Sequence, residues 1–205
     1  MKKRMNETDD ILAALGGNSF KRFTKTKGNL HEFYLSGEIV EADCYVEWFD
    51  IIRNTTPNDT VKFYINSPGG DVYTAIQFLR VISDCEADVI ASVEGCCMSA
   101  ATMIFLAADD FEVTPHSAFM FHDYSSGTFG KGGEQYDQIQ YERNWSENFL
   151  RAVYKDFLTN DEIKSMLHNK DIWLSSEEVS ERLAARVKKQ ELEYNVNSVS
   201  EGKVV

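Results

Sequence analysis

Residues 61–72 read VKFYINSPGGDV, which places a strand, a tight turn and the start of a helix directly after one another. Val61–Ile65 is β-branched and aromatic apart from Lys62, a composition typical of a strand. Asn66–Asp71 predicts a turn, because it holds a proline followed by two glycines. Apolar residues then recur at helical spacing, at Val72, Ala75, Ile76 and Leu79. This strand-turn-helix unit indicates an α/β domain.

The unit repeats further along the chain. Val89–Val93 predicts a second strand, Glu94-Gly95 a turn, and Cys97–Ala108 a helix that is almost uncharged and therefore buried. The remaining predicted elements are a strand at Phe33–Leu35, a helix at Val46–Arg53, and strands at Phe111–Val113 and Ala118–Phe121. The alternation extends the α/β pattern over most of the chain.

The second half of the chain predicts helices. The longest helical pattern covers Ile139–Phe157 and follows a glycine-bearing segment, Gly127–Gly133. Thr159–Glu162 and Ser175–Glu178 both fit the capping box, so each predicts the start of a short helix. Asp171–Leu174 is expected to be extended between them.

Composition and charge exclude several classes of protein. The chain has 205 residues, of which 43% are hydrophobic and 26% charged, as expected for one soluble globular domain. No apolar run approaches the roughly 18 residues that a membrane span needs. The net charge of -12 disfavours nucleic acid as a partner. We therefore expect a cytoplasmic protein that binds neither nucleic acid nor membrane.

The ends of the chain differ from its middle. Residues 1–30 carry seven Lys or Arg and three acids, which predicts a basic, mobile leader. Residues 31–190 form the predicted main domain, and residues 191–205 a polar tail. The four cysteines have no zinc-site spacing, so we expect reduced, mostly buried thiols and no metal or other cofactor.

Two turns have backbones suited to catalysis. Gly69 and Gly70 follow Pro68 at the start of a predicted helix, which makes them either an oxyanion-binding turn or an ordinary β-turn. Ser99 lies in the predicted first turn of the buried helix, among small residues that leave its hydroxyl approachable. It is either a nucleophile or a buried serine bonded to the carbonyl one turn back.

A serine nucleophile needs a base and a group that orients the base. Of the four histidines, His122 ends an apolar strand, whereas the other three have polar, surface-like surroundings: His31, His116 and His168. Asp171 starts the extended segment and is the candidate orienting group. Its rivals Asp109, Asp110 and Asp123 are expected to be solvated.

Four colinear motifs resemble the proteolytic subunit of the Clp protease (ClpP type). They are Tyr64–Gly70, Gly95 with Ser99-Ala100-Ala101, Met120-Phe121-His122, and Lys170–Ser175. The resemblance covers roughly residues 33–187. It implies a serine endopeptidase in which Ser99 is the nucleophile, His122 the general base and Asp171 the orienting acid. It also implies an oxyanion hole made by the amides of Gly70 and Ala100.

The resemblance carries further expectations about fold and partners. It implies a crotonase-like spiral of repeated ββα units, with the long helix as a handle between stacked rings of a homo-oligomer. Substrate would be unfolded polypeptide, bound near Gly69 and paired with the segment that begins at Gly127. An AAA+ unfoldase would control access to the chamber. The chain has Ala100 where the family usually has Met, and Lys170 where it commonly has Arg, so the specificity pocket and the ring contacts are expected to differ.

Three alternatives stay open at this point. The first is a catalytically silent ring subunit with the same fold. The second is a crotonase-type acyl-CoA enzyme that uses the two turns as an oxyanion hole. The third is a peptidase with a Ser-Lys dyad, with Lys131 as the candidate base. This dyad is harder to build, because no lysine lies between Lys62 and Lys131.

Overall fold

One six-stranded sheet organises residues 28–200, the part of the chain that the computed structural model describes, without the side chains of residues 190, 191 and 193–200. The strands are β1 (Leu30–Ser36), β2 (Thr60–Ser67), β3 (Asp88–Met98), β4 (Asp110–Val113), β5 (Ala118–Phe121) and β6 (Ile172–Ser175). The helices are α1 (Val46–Arg53), α2 (Val72–Ser83), α3 (Ala100–Leu106), α4 (Gly132–Tyr154), α5 (Asn160–Met166) and α6 (Ser176–Ser200), with a short 3₁₀ helix at Ala42–Tyr45.

The strand order is β1-β2-β3-β5-β6, with β4 paired to the first half of β3. All pairs are parallel except β5 with β6. Parallel neighbours need helical crossovers, and α1 and α2 supply them after β1 and β2. The α/β alternation predicted from the sequence is therefore confirmed.

Alternating residues of β2 build the core. Val61, Phe63 and Ile65 are fully buried, whereas the residues between them are partly exposed. Phe63 packs edge-on against Phe78 of α2, with ring centroids 6.0 Å apart. Asp71 caps α2 by accepting a hydrogen bond from the Thr74 amide at 2.6 Å. The cap fixes where the helix begins, directly after the glycine turn.

The structure corrects the prediction for the second unit. β3 does not turn at Gly95 but continues to Met98, and its last residues pair with β5. Ile65 of β2 pairs with Val93, and Ser67 pairs with Cys97. The single residue between them in β2, Asn66, therefore lies opposite three residues of β3, 94–96. The glycine marks this irregularity: a Cβ on it would lie 2.5 Å from the Asn66 side-chain oxygen. The buried helix accordingly begins at Ala100, later than predicted.

Both predicted capping boxes are present. Thr159 and Glu162 exchange bonds at the start of α5, and Ser175 and Glu178 do so at the start of α6. The prediction of a second short helix is wrong, because α6 continues to Ser200 and so includes most of the predicted tail. The predicted leader lies outside the described residues except for residues 28–30.

The prediction of mostly buried thiols is also wrong. All four cysteines are free, but Cys97 alone is buried; Cys85 and Cys96 are half-buried and Cys44 is exposed. Cys97 lies in β3, and burial raises the pKa of its thiol, so this side chain packs as a neutral apolar group.

Candidate active site

The β3–α3 junction presents Ser99 in an unusual backbone conformation. Its φ of 52° and ψ of -129° are rarely adopted by residues other than glycine, and cost of order 1–3 kcal/mol. Its amide donates to the Met120 carbonyl at 2.8 Å, which continues the pairing of β3 with β5. The strand pairing thus holds one side of the junction, and the half-buried Ser99 side chain faces a cavity.

His122 reaches the same point from the neighbouring strand. It follows β5 directly, and Met120 of β5 pairs with Met98, the residue before Ser99. The His122 Nε2 and Ser99 Oγ atoms lie 2.7 Å apart, within hydrogen-bond distance. The two side chains are 23 residues apart in the chain, so only the sheet brings them together.

The glycine turn lies against this pair. Gly69 and Gly70 have φ values of 96° and 148°, and a Cβ on Gly69 would lie 2.6 Å from the Cβ of Ser99. Gly70 forms a parallel β-bridge with Ile39. The Ile39 amide donates to the Gly69 carbonyl, and the Asp71 amide donates to the Ile39 carbonyl. The Gly70 amide therefore faces away from Ile39.

A second free amide belongs to Ala100, the first residue of α3, where helix amides have no intrahelical acceptor. Within residues 28–200 neither the Gly70 nor the Ala100 amide donates a hydrogen bond. Both residues line the cavity beside Ser99. Two backbone donors are thus available to an oxyanion at this point.

Asp171 stands opposite His122 but, among the described residues, forms no hydrogen bond with it. The antiparallel register pairs Phe121 with Ile172, so extending it by one residue sets His122 across from Asp171. The Asp171 side chain is exposed, and among the described residues it makes no hydrogen bond to His122. The Ser-His pair is formed in the structure, and the third member is adjacent in register only.

Asp123 is the other carboxylate next to the imidazole. It is half-buried and lines the cavity, in contrast to the solvated position expected of it. Burial raises the pKa of its carboxyl, and the Tyr124 amide, which donates to it at 2.8 Å, acts in the opposite direction. Asp109 and Asp110 are exposed and lie at β4, away from the cavity.

The cavity has a volume of about 470 Å³ and a largely apolar wall. Phe149 and Trp145 of α4 stack with ring centroids 5.3 Å apart, and Trp145 also contacts Tyr73 of α2 at 5.7 Å. Met103 and Leu150 add aliphatic surface. A cavity of this size and lining fits a large apolar side chain.

The predicted site residues are thus only partly brought together. Gly70, Ser99, Ala100 and His122 line one cavity, Gly69 packs beneath Ser99, and Gly127 lies in the irregular segment between β5 and α4. Sequence reasoning missed the cavity wall, although the helical spacing of Trp145, Phe149 and the buried Ser146 and Leu150 carries a signal for it.

Comparisons with known proteins point to one family. A profile of the family described as Clp protease matches residues 37–190. The proteolytic subunit 1 of the ATP-dependent Clp protease from Salinibacter ruber is 27% identical over 125 residues, 59% of this chain and 53% of the relative. The corresponding subunit from Deinococcus radiodurans is 28% identical over 91 residues, 43% of this chain and 45% of the relative. That from Bacteroides thetaiotaomicron is 27% identical over 85 residues, 40% of this chain and 39% of the relative.

The structure is an α/β protein in which a serine hydroxyl and an imidazole lie within hydrogen-bond distance at the edge of an apolar cavity. The match over residues 37–190 covers most of the chain, and the chain belongs to the Clp protease family, a family of peptidases with the crotonase-like fold. The matched segments span about half or less of the length of the three curated relatives. Within residues 28–200 no helix combines the length and apolarity that crossing a bilayer requires.

Proposed function

We propose that the protein is a serine endopeptidase whose nucleophile is Ser99 and whose general base is His122. The observation that carries the proposal is the 2.7 Å separation between Ser99 Oγ and His122 Nε2 at the wall of the apolar cavity. The structural alternative, a serine bonded to the carbonyl one turn back, is not formed among the described residues, because the Ser99 hydroxyl is paired with His122 instead. The Ser-Lys alternative is weaker, because Lys131 is exposed and pairs with Glu134 at 3.5 Å.

The chemistry follows the groups at the junction. His122 Nε2 takes the Ser99 proton while Oγ attacks the substrate carbonyl carbon, and the carbonyl oxygen becomes an oxyanion. The amides of Gly70 and Ala100 donate to that oxyanion. His122 then gives its proton to the leaving amine, which leaves an acyl group on Ser99. A water molecule, deprotonated by His122, hydrolyses the acyl-enzyme and restores the serine.

Asp171 is the group that we assign to orient the imidazole. Residues directly opposite in an antiparallel pair have Cα atoms about 4.5–5.5 Å apart, close enough for a carboxylate to reach the Nδ1 of the facing histidine. Because the Asp171 side chain is exposed, it is free to change rotamer when substrate excludes water. Asp123 is the competing candidate, since it lines the cavity.

Paired substitutions separate the two carboxylates. We expect Asp171→Asn to lower kcat/KM by roughly 10²–10⁴-fold, because the imidazole loses the acceptor that selects its tautomer. Asp123→Asn should change kcat/KM by less than about threefold. Initial rates of peptide hydrolysis provide the comparison, and the reverse ranking would assign the orienting role to Asp123.

The substrate that fits this site is an extended polypeptide with a large apolar residue before the cleaved bond. The wall of Trp145, Phe149 and Met103 supplies the apolar contacts. Residues 122–131 contain no helix or strand, so their backbone is available to pair with an extended substrate near Gly127. Backbone pairing tolerates many sequences, which suits the hydrolysis of unfolded chains.

We further propose that the enzyme works as a homo-oligomer that encloses its active sites and receives substrate from an AAA+ unfoldase. Four large apolar side chains at the start of α4 and just before it are exposed, and we call them the α4 patch: Phe129, Tyr136, Ile139 and Tyr141. Exposed apolar groups in one region are typical of an interface. The relatives are named as proteolytic subunits of an ATP-dependent protease, which supports the same interpretation.

Peptide hydrolysis tests the proposal. Wild-type protein should cleave peptides with Leu or Phe before the scissile bond in preference to Asp, and Ser99→Ala should lower the rate by at least about 10³-fold. Ser180→Ala, an exposed serine of α6, is the matched control and should retain the wild-type rate. A wild-type assembly with no peptidase activity would favour the silent subunit, and specific binding of coenzyme A would favour the acyl-CoA enzyme.

A further inference from the structure

A buried pair of hydroxyl groups lies beneath the β3–α3 junction. Thr102 of α3 and Tyr154 of α4 are both fully buried, and their side-chain oxygens are 2.7 Å apart. The two residues are 52 positions apart in the sequence. Neither lines the cavity, so neither touches substrate in the proposed mechanism.

The direction of the bonds in this pair follows from proton count. Thr102 Oγ1 donates to the Ser99 carbonyl oxygen at 2.6 Å, and the Thr102 amide donates to the same oxygen at 2.9 Å. A hydroxyl has one proton, so Tyr154 must be the donor in its bond with Thr102. Burial raises the pKa of the Tyr154 hydroxyl, which therefore keeps its proton. The bonds run from Tyr154 through Thr102 to Ser99.

The Ser99 carbonyl and the Ala100 amide belong to the same peptide group. In a planar trans peptide the C=O and N–H bonds point in opposite directions. Holding the Ser99 oxygen toward the buried pair therefore aims the Ala100 N–H toward the cavity. The disfavoured combination of φ 52° and ψ -129° at Ser99, of which ψ sets the direction of this peptide, persists only where its surroundings impose it.

We propose that Thr102 and Tyr154 are positioning residues that orient the Ser99–Ala100 peptide, and with it the Ala100 donor of the oxyanion hole. This inference rests on the proposed peptidase function. The competing role is purely structural, a polar contact that joins α3 to α4. The two roles differ in whether a folded variant loses kcat.

Steady-state kinetics of three variants and one control distinguish the roles. Thr102→Val removes the donor and keeps the shape, and should lower kcat by roughly 10- to 100-fold with KM changed less than about threefold. Thr102→Ser restores the hydroxyl and should recover at least about a third of the wild-type kcat. Tyr154→Phe should lower kcat by about 3- to 10-fold.

The matched control is Thr55→Val. Thr55 Oγ1 donates to the Ile52 carbonyl at 2.8 Å, the same bond to a carbonyl three residues back, at the end of α1. We expect the Thr55→Val variant to retain the wild-type kcat even if its melting temperature falls. A folded Thr102→Val with wild-type kcat, or an equal loss of kcat in Thr55→Val, would overturn the proposal.

A crystal structure of Thr102→Val keeps this test separate from the proposed function. If the wild-type protein has no Ser99-dependent activity, the peptidase proposal fails, but the peptide orientation can still be measured. A rotated Ser99–Ala100 peptide, with the amide turned from the cavity, supports the positioning role. An unchanged peptide would overturn it.

Discussion

Gly69 is the residue whose replacement by any larger one should disturb the site most directly. A Cβ added there would lie 2.6 Å from the Ser99 Cβ and 2.7 Å from the Met98 carbonyl oxygen, at a φ of 96° that side chains disfavour. We expect Gly69→Ala to destabilise the fold by roughly 2 kcal/mol and to lower kcat/KM by at least about 100-fold. Thermal melts and peptide hydrolysis measure the two effects.

Gly133→Ala is the matched control for that substitution. A Cβ on Gly133 would meet no atom within 4 Å, and the residue lies in the first turn of α4. Alanine has the higher helix propensity, so the melting temperature should stay constant or rise slightly. Wild-type activity and stability in Gly69→Ala would show that the turn does not pack against Ser99 as described.

Sequence patterns predict site residues that lie beside a recognisable strand or turn. They miss residues that come into contact only through the packing of distant elements. Ser99 and His122 follow apolar strands, and the sheet brings them within 2.7 Å. Thr102 and Tyr154 have no local signal, since each reads as an ordinary helical residue until the packing of α3 on α4 is known. The direction of the exposed Asp171 side chain depends on its rotamer, and no sequence pattern specifies a rotamer.

Among the elements, β3 and α6 differ most from expectation. The prediction for β3 treats Gly95 as a turn, but tertiary pairing with β5 extends the strand to Met98. The prediction for α6 is a short helix followed by a polar tail from residue 191, whereas the helix continues through polar residues to Ser200. Local patterns identify the start of a helix where a capping box is present, as at α5 and α6, whereas α4 begins at Gly132, before the predicted Ile139.

The ion pair between α5 and α6 predicts a dependence of stability on pH. Arg182 donates two hydrogen bonds to Glu162, at 2.8 and 2.7 Å, and holds the pKa of that carboxyl down to about 2 from its ordinary value of 4.5. A depressed pKa stabilises the fold fully above about pH 4.5. The stabilisation is lost as the pH falls towards 2.

Urea denaturation of Glu162→Gln measures this contribution. We expect the variant to be less stable than wild type by about 1 kcal/mol at pH 6, the value for a partly exposed pair screened by solvent. The difference should shrink below pH 4. Glu147→Gln removes the more exposed ion pair with Arg151. It should lower the free energy of unfolding by at most a few tenths of about 1 kcal/mol at every pH. A constant difference between pH 6 and pH 3 would contradict the assignment.

At the scale of the whole molecule, the α4 patch predicts self-association. Tyr136→Ser combined with Ile139→Ser should shift the protein to a smaller species, because these side chains are 65% and 47% exposed in the isolated chain. Val46→Ser, which alters a similarly exposed apolar residue on α1, should leave the assembly unchanged. Light scattering after size-exclusion chromatography gives the masses, and equal masses for all three proteins would exclude the patch as the interface.

The central claim is that His122 activates Ser99 as a nucleophile, and covalent labelling tests it most directly. Wild-type protein treated with a fluorophosphonate should gain the mass of one adduct per chain, and peptide mapping should locate it on Ser99. Ser99→Ala should gain none, and His122→Ala should react at least about 100-fold more slowly. An adduct on another residue, or no adduct on Ser99 in a preparation that cleaves peptides, would contradict the account.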